Sequence, residues 1–178
     1  MPAGDYESLI NQAKQAWTAR QFPQVQNLLN QAIRLDPNKP RAYSGLAELQ
    51  LYVYNDFSNA AQNAQKAISR GGEAVFHLRH DHSGETFTIQ CTGKLYISQA
   101  GIRFVPDTGS HSFNVRRGDI RDAKKNRMLS VHIGQRQNSV DIHPFHVRLA
   151  NGENFNFAGE SKSTEAERDL ILSLLNER

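Results

Sequence analysis

The sequence predicts an α+β protein with two domains, because its residue pattern changes near residue 72. Residues 5–70 are rich in Ala, Leu, Gln and Asn and hold almost no runs of β-branched residues, which favours helices. Beyond that point most of the Val and Thr residues appear, and stretches such as 93–104 alternate apolar and polar positions. We therefore expect an all-α domain over residues 1–72 and an antiparallel β domain over residues 73–178.

The cysteine content of the chain suits a reducing compartment. The 178 residues carry a net charge of +3 and a single cysteine, Cys91, so no disulfide can form within the chain. The first residues, MPAGDYESL, lack the apolar run of a signal peptide, and no stretch approaches the roughly 20 apolar residues of a membrane span. We expect a cytoplasmic location, with peripheral membrane attachment as the alternative.

The first domain is expected to contain four helices and an internal repeat. Prolines mark helix starts or breaks and divide the region into segments of about 5–20, 22–35, 40–54 and 57–70. Two stretches within it align with each other at a spacing of 35 residues. The aligned pairs are Phe22 with Phe57, Val25 with Ala60, and Ala32-Ile33 with Ala67-Ile68.

This pattern resembles the tetratricopeptide repeat, a helix–turn–helix unit of about 34 residues, with one residue inserted near Tyr54-Asn55. The closing Leu35-Asp36-Pro37 also resembles that family, whereas Val25 and Arg20 depart from its usual Ala and Gly. The small residues that let paired helices approach closely would be Ala13, Ala32, Ala47, Ala60 and Ala67.

The resemblance implies a peptide-binding concave face on the first helix of each pair. Carried over residue by residue, that face would hold Ile10, Lys14, Trp17, Arg41, Ser44, Glu48 and Tyr52. Trp17 has a second interpretation, since large aromatic residues at helical spacing usually belong to a core. The family's carboxylate clamp needs Lys and Asn where this chain has Ile10 and Lys14, so we do not expect a chaperone-tail clamp. The mixed charges predict a polar groove.

The second domain is expected to contain many short strands and one final helix. The predicted strands are Val75–His80, Thr86–Cys91, Lys94–Ser98, Ile102–Val105, Ser112–Arg116, Ile120–Lys125, Val131–Ile133, His143–Ala150 and Asn154–Ala158. The helix should begin at Thr164, with Glu167 completing a capping box. Its apolar face, Leu170, Ile171, Leu174 and Leu175, would close the open end of a small barrel.

Three stretches in this order resemble the GRAM branch of the pleckstrin-homology-like fold. They are CTGKLYISQAGIRFVPD, GDIRDAKKN, and FNFAG before the helix, and the resemblance covers roughly residues 73–177. It implies an antiparallel β-barrel capped by a C-terminal α-helix.

A basic segment at residues 116–127 is the densest positive charge in the chain. It holds Arg116, Arg117, Arg121, Lys124, Lys125 and Arg127. Such a segment can contact anionic lipid. Lipid-binding members of the wider fold, however, carry their basic residues in the first hairpin loop, and here that loop, residues 81–85, has two acids and no Lys or Arg. We favour a solvated strand face, and we expect no nucleic-acid binding because no aromatic residues interleave the charges.

Histidines and the cysteine are the remaining chemical groups. His80 and His82 would share one face of a strand and His77 the other. Because this pair has no cysteine partner and no helix-borne His–Glu motif, we expect surface histidines and no metal or cofactor. Cys91 is assigned to an apolar strand face with Phe87 and Ile89, as an inert thiol.

The sequence predicts a non-catalytic adaptor or scaffold, because it contains no phosphate-binding loop and no nucleophile motif. It would bind a protein or peptide partner through the helical groove and a second partner through the barrel. The alternative is a peripheral membrane module that binds anionic lipid through residues 116–127. A third hypothesis is a hydrolase or metalloenzyme that uses the histidines.

Overall fold

The computed structural model describes residues 5–84, 86–109, 111–132, 139–160 and 164–177. These residues form a mixed α+β structure, which confirms the predicted class: four helices come first, then antiparallel strands, then a last helix. The chain divides into two compact units, residues 1–74 and 75–178, here called the helical unit and the sheet unit.

The four helices lie close to their predicted bounds. They are α1 (Tyr6–Thr18), α2 (Phe22–Leu35), α3 (Arg41–Leu49) and α4 (Phe57–Ser69), and a π-helical turn, Gln50–Tyr54, prolongs α3. Asp5 and Asp56 begin α1 and α4 by accepting hydrogen bonds from the backbone N–H of Ser8 and Asn59.

The internal repeat has a structural counterpart in the turns between paired helices. Phe22 and Phe57 are the first residues of α2 and α4, and the turns before them contain Arg20 and Asn55 in the left-handed conformation, with φ of 56° and 55°. Ala13 and Ala47 are 34 residues apart but Arg20 and Asn55 are 35 apart. The extra residue therefore falls in the stretch that forms the π-helical turn, which is how a helix absorbs one inserted residue.

The helical unit has a core of small and branched residues. Ala13, Ala32, Ala47, Ala60 and Ala67 are all buried, so α1 and α3 approach α2 and α4 closely. Leu28, Leu29, Leu46 and Leu49 fill the space between the helices. Ile10 belongs to this core, with 4% of its surface exposed, and so does not line a groove.

The described residues from Glu73 onward form nine strands in two sheets, and all the strand residues except Glu73 and Ala74 belong to the sheet unit. The strands are β1 (Glu73–Asp81), β2 (Gln90–Ser98), β3 (Gly101–Pro106), β4 (Phe113–Arg116), β5 (Ile120–Lys125), β6 (Leu129–His132), β7 (Ser139–Ile142), β8 (Phe145–Leu149) and β9 (Asn154–Gly159). Seven of them form one sheet in the order β4-β3-β2-β1-β9-β8-β5, and β6 pairs with β7.

Several strand predictions need correction. Thr86–Ile89 lies outside any strand, and the two strands predicted over 86–98 are the single strand β2. Phe87 has φ of 55°, which is incompatible with an extended strand. Strand β7 was not predicted, and Ile133, assigned to a strand from the sequence, lies outside the described residues.

The predicted closed barrel is not found among the described residues, because the edge strands β4 and β5 do not pair. Only the turn Arg117–Asp119 separates these two strands in the chain, although they lie at opposite ends of the strand order. So short a link keeps the two edges near each other. The sheet is therefore strongly curled but open.

Helix α5 (Glu165–Asn176) packs on β5 and β9. Thr164 begins it as predicted, since its hydroxyl oxygen accepts a hydrogen bond from the backbone N–H of Glu167 at 3.1 Å. Leu170, Ile171, Leu174 and Leu175 are buried, as the pattern indicated. The helix therefore covers part of the curled sheet without completing a barrel.

Candidate functional site

The first helices of the two hairpins, α1 and α3, contact each other through an ion pair. Arg41, at the start of α3, binds the carboxylate of Glu7, at the start of α1. These two residues are 34 positions apart, which is also the spacing between the equivalent residues Ala13 and Ala47 of the two repeats. The ion pair therefore joins equivalent turns of α1 and α3. This pair defines a polar face of the helical unit.

The predicted groove residues differ in how accessible they are. Lys14 and Arg41 are exposed, and Glu48 and Tyr52 are half-buried. The hydroxyl of Ser44 donates a hydrogen bond to the backbone oxygen of Glu73. The ring of Trp17 packs edge-on against Phe22, with 5.9 Å between the ring centroids, in agreement with its interpretation as a core residue.

The basic segment 116–127 does not form one continuous charged face. Arg116 pairs with Asp119 at 3.1 Å, and Asp122 lies 3.8 Å from Arg121 and 3.7 Å from Lys124. The side chains of Lys125 and Arg127 are exposed. Desolvation acts to raise the pKa of Asp122, but Lys124, a hydrogen bond from His146, and Arg148 outweigh it and lower that pKa.

Arg117 has a structural role in this segment. Its guanidinium donates hydrogen bonds to the backbone oxygens of Leu175 at 2.9 Å and Leu174 at 3.1 Å, in the last turn of α5. Burial lowers its pKa, and the negative end of the helix dipole favours its charge. Arg117 therefore anchors α5 through two of its N–H groups.

A second group of side chains meets where β1 and β2 come together. The backbone N–H of His82 donates to the oxygen of Ile89 at 2.7 Å, which sets the register of the two antiparallel chains and brings Cys91 opposite His80. Residues opposite each other in such a pair, and residues two apart in a strand, point to the same face. His80, His82 and Cys91 consequently share one face.

Their ligand atoms lie close together. The Nε2 atom of His82 lies 3.2 Å from the Sγ atom of Cys91. One ring nitrogen of each histidine and the Sγ atom all lie within 4.8 Å of one another. The ring of His111, in the segment before β4, packs on the ring of His82 with 4.3 Å between the centroids.

His80 stands at the end of the aromatic core of the sheet unit. It is 7% exposed, and its ring centroid lies 5.2 Å from those of Phe104 and Phe157 and 5.4 Å from that of Phe113. Its Nδ1 atom is the one buried side-chain nitrogen or oxygen of the described residues that has no hydrogen-bond partner. Burial lowers the pKa of His80 to about 4, so its ring is neutral at pH 7.

His82 and Cys91 are also uncharged near neutral pH. Burial and the neighbouring His111 lower the pKa of His82, and burial raises the pKa of the Cys91 thiol. His82 and His111 are exposed and Cys91 is half-buried, so the cluster opens toward solvent on one side. Two neutral imidazoles and a thiol form a set that metal ions bind in proteins.

Sequence reasoning paired His80 with His82 but missed Cys91. The sequence pattern assigns the thiol to a strand face with Phe87 and Ile89, yet Ile89 is 65% exposed and Phe87 lies in the loop. The prediction that these histidines lie at the surface is wrong for His80, which is buried. A hairpin register of β1 on β2 would have revealed the third group, but the irregular loop between them obscures that register.

Comparison with protein-family models, with curated proteins and with solved structures finds no match to this chain. None of the described helices has the length and the apolar content required to cross a bilayer.

Proposed function

We propose that this chain is a non-catalytic adaptor whose helical unit binds a segment of a partner protein on the face of α1 and α3. The observation that carries the proposal is the ion pair between Glu7 and Arg41. It joins equivalent turns of the two first helices, so their side chains form one surface across both repeats.

The same surface continues along both helices. Lys14 follows Glu7 by seven residues and Glu48 follows Arg41 by seven, which is about two helical turns in each case. The four residues therefore present a cation and an anion on each helix, with opposite signs across from each other. Such a pattern suits a polar segment that carries both signs of charge, because complementary charges give specificity and speed association.

The family assignments belong to the same proposal. For tetratricopeptide repeats, the support is the 35-residue spacing of Phe22 and Phe57 with the extra residue in a π-helical turn. For a pleckstrin-homology-like or GRAM-like sheet unit, the support is the series of antiparallel strands followed by one helix. In this proposal the sheet unit holds a second partner.

The membrane alternative has weaker support. Binding of anionic lipid would use the segment 116–127, but Arg117 is committed to α5 and three other basic residues lie beside Asp119 or Asp122. Lys125 and Arg127 are the exposed members without such a neighbour in the ion pairs described above. Two cations near a membrane surface contribute about 2 kcal/mol in total, which is little for stable attachment.

The proposal is tested by selecting peptides from a random displayed library against the full chain. Selected peptides should carry both acidic and basic residues, and their binding should fall when Lys14 or Glu48 is replaced by Ala. Arg34→Ala is the matched control, because Arg34 is an exposed cation on the second helix of the first hairpin. Peptides that bind all variants equally, or a library that yields no binder, would contradict the proposal.

A further inference from the structure

Three side chains with metal-ligand chemistry converge at the end of the aromatic core in the sheet unit. They are His80 on β1, His82 just beyond β1, and Cys91 on β2. His80 and His82 share a face by alternation, and the pairing of β1 with β2 adds Cys91. We infer that these three residues bind a zinc ion. This site is separate from the proposed peptide-binding face and does not depend on it.

The spacing of the ligand atoms fits a tetrahedral site after small side-chain rotations. Zinc bonds of about 2.0–2.1 Å to nitrogen and about 2.3 Å to sulfur separate neighbouring ligand atoms by about 3.3–3.6 Å. The His82 Nε2 to Cys91 Sγ distance of 3.2 Å is already close to this value. The remaining separations, all within 4.8 Å, require the ligand atoms to move together by about 1 Å.

A second observation points to a ligand independently of that spacing. The Nδ1 atom of His80 is buried and has no hydrogen-bond partner among the described residues, while aromatic rings surround the imidazole. A buried polar atom without a partner is costly and calls for an explanation such as an ion. The same imidazole contributes a ring nitrogen to the cluster with His82 and Cys91.

The donor set favours zinc among the common metal ions. Calcium and magnesium prefer oxygen ligands, whereas imidazole and thiolate together suit zinc and copper. A zinc site with three protein ligands keeps a fourth position. The ring of His111 packs on that of His82 beside the cluster, and the fourth position is left for a water molecule or a further ligand.

Binding requires one proton transfer. Cys91 coordinates as a thiolate, so its S–H proton leaves to the solvent as the zinc–sulfur bond forms, while the neutral imidazoles use their lone pairs. No redox change is involved. The ion would connect β1 to β2 at the end of the aromatic core.

The test uses the full chain after treatment with EDTA, titrated with Co²⁺ as a spectroscopic substitute for zinc. We expect visible bands of tetrahedral cobalt together with a near-ultraviolet charge-transfer band, which only a thiolate ligand produces. Addition of Zn²⁺ should abolish both, and one proton should be released per ion bound. Titration without the charge-transfer band, or with no saturable binding, would overturn the inference.

Variants identify the ligands. Cys91→Ser should remove the charge-transfer band, and His82→Ala should weaken binding by about 100-fold or more, since even the outer partners of metal ligands contribute about 10–100-fold. His77→Ala is the matched control, because His77 lies on β1 in the opposite alternation and should leave the titration unchanged. Circular dichroism verifies that each variant is folded. Equal weakening in the His77 variant would show that the histidines bind metal without a defined site.

Discussion

The guanidinium of Arg117 donates a hydrogen bond to the backbone oxygen of Leu175 across 2.9 Å. The two positions are 58 apart in the chain, and the bond joins the turn between β4 and β5 to the last turn of α5. Carbonyl groups at the end of a helix have no partners within it. Arg117 satisfies two of them and places a positive charge at the negative end of the helix.

Replacing Arg117 with Ala should destabilise the chain by about 1.5–3 kcal/mol, the range for hydrogen bonds to a charged group. The neighbouring Arg116→Ala is the control, because its side chain is 87% exposed and pairs only at the surface with Asp119. Its cost should stay below about 1 kcal/mol. Urea unfolding followed by circular dichroism measures both. Equal effects of the two substitutions would contradict the anchoring role.

Replacing Leu174 with Ala should cost about 2–5 kcal/mol, because the side chain is 1% exposed and its removal leaves a cavity under α5. Leu172→Ala makes the same change in the same helix at a half-buried position and should cost clearly less. Thermal unfolding separates the two. If Leu174→Ala melts with the wild type, α5 does not depend on this buried face.

The chain should not bind anionic vesicles through its basic segment, residues 116–127. With vesicles rich in phosphatidylserine, we expect little co-sedimentation of the wild type, and the same for a variant with Lys125 and Arg127 replaced by Glu. Neutral vesicles provide the control. Strong binding that salt abolishes and the double replacement weakens would favour the membrane alternative, because exposed charges are screened by ions.

His80 should make the metal-free chain sensitive to acid. Its pKa is about 4 in the folded chain, where burial and the nearby His82 and His111 disfavour its charge despite Asp81, and about 6.5 when unfolded. The stability it contributes is therefore complete above pH 6.5 and is lost as the pH falls toward 4, by up to about 3 kcal/mol.

The measurement is the free energy of urea unfolding in EDTA at several pH values. His80→Leu cannot take up a proton, so its unfolding free energy should fall less steeply between pH 6.5 and pH 4 than that of the wild type. Identical pH dependence of the two proteins would show that His80 is protonated equally in the folded and unfolded chains.

The helices could be predicted from the sequence more fully than the sheet. Helical periodicity, Pro23 and the repeat spacing are local signals, and α2 begins and ends where they indicate. The sheet depends on long-range pairing, because β1 lies between β2 and β9. Strand β9 begins more than sixty residues after the end of β1. That arrangement, and the absence of pairing between β4 and β5, has no local signature.

The candidate sites show the same limit. Alternation along one strand correctly brought His80 and His82 to a shared face, but Cys91 joins them through a register between strands. Likewise, charge density selected Arg117 with its basic neighbours, whereas its role depends on the position of α5. The role of a side chain that joins two elements can be predicted only when the pairing of those elements is known.

The central claim, that α1 and α3 bind a charged partner segment, is tested most directly by reversing one charge on that face. For a peptide selected on the wild type, fluorescence anisotropy should show that Lys14→Glu raises the Kd by about 10-fold or more. A 10-fold change corresponds to about 1.4 kcal/mol of binding free energy. Arg34→Glu makes the same change in net charge on α2 and should alter the Kd by less than about 2-fold. Replacing the acidic residues of the peptide with Lys should restore binding to the Lys14→Glu variant. Equal Kd values for the two variants, or a loss that the exchanged peptide does not recover, would contradict the account.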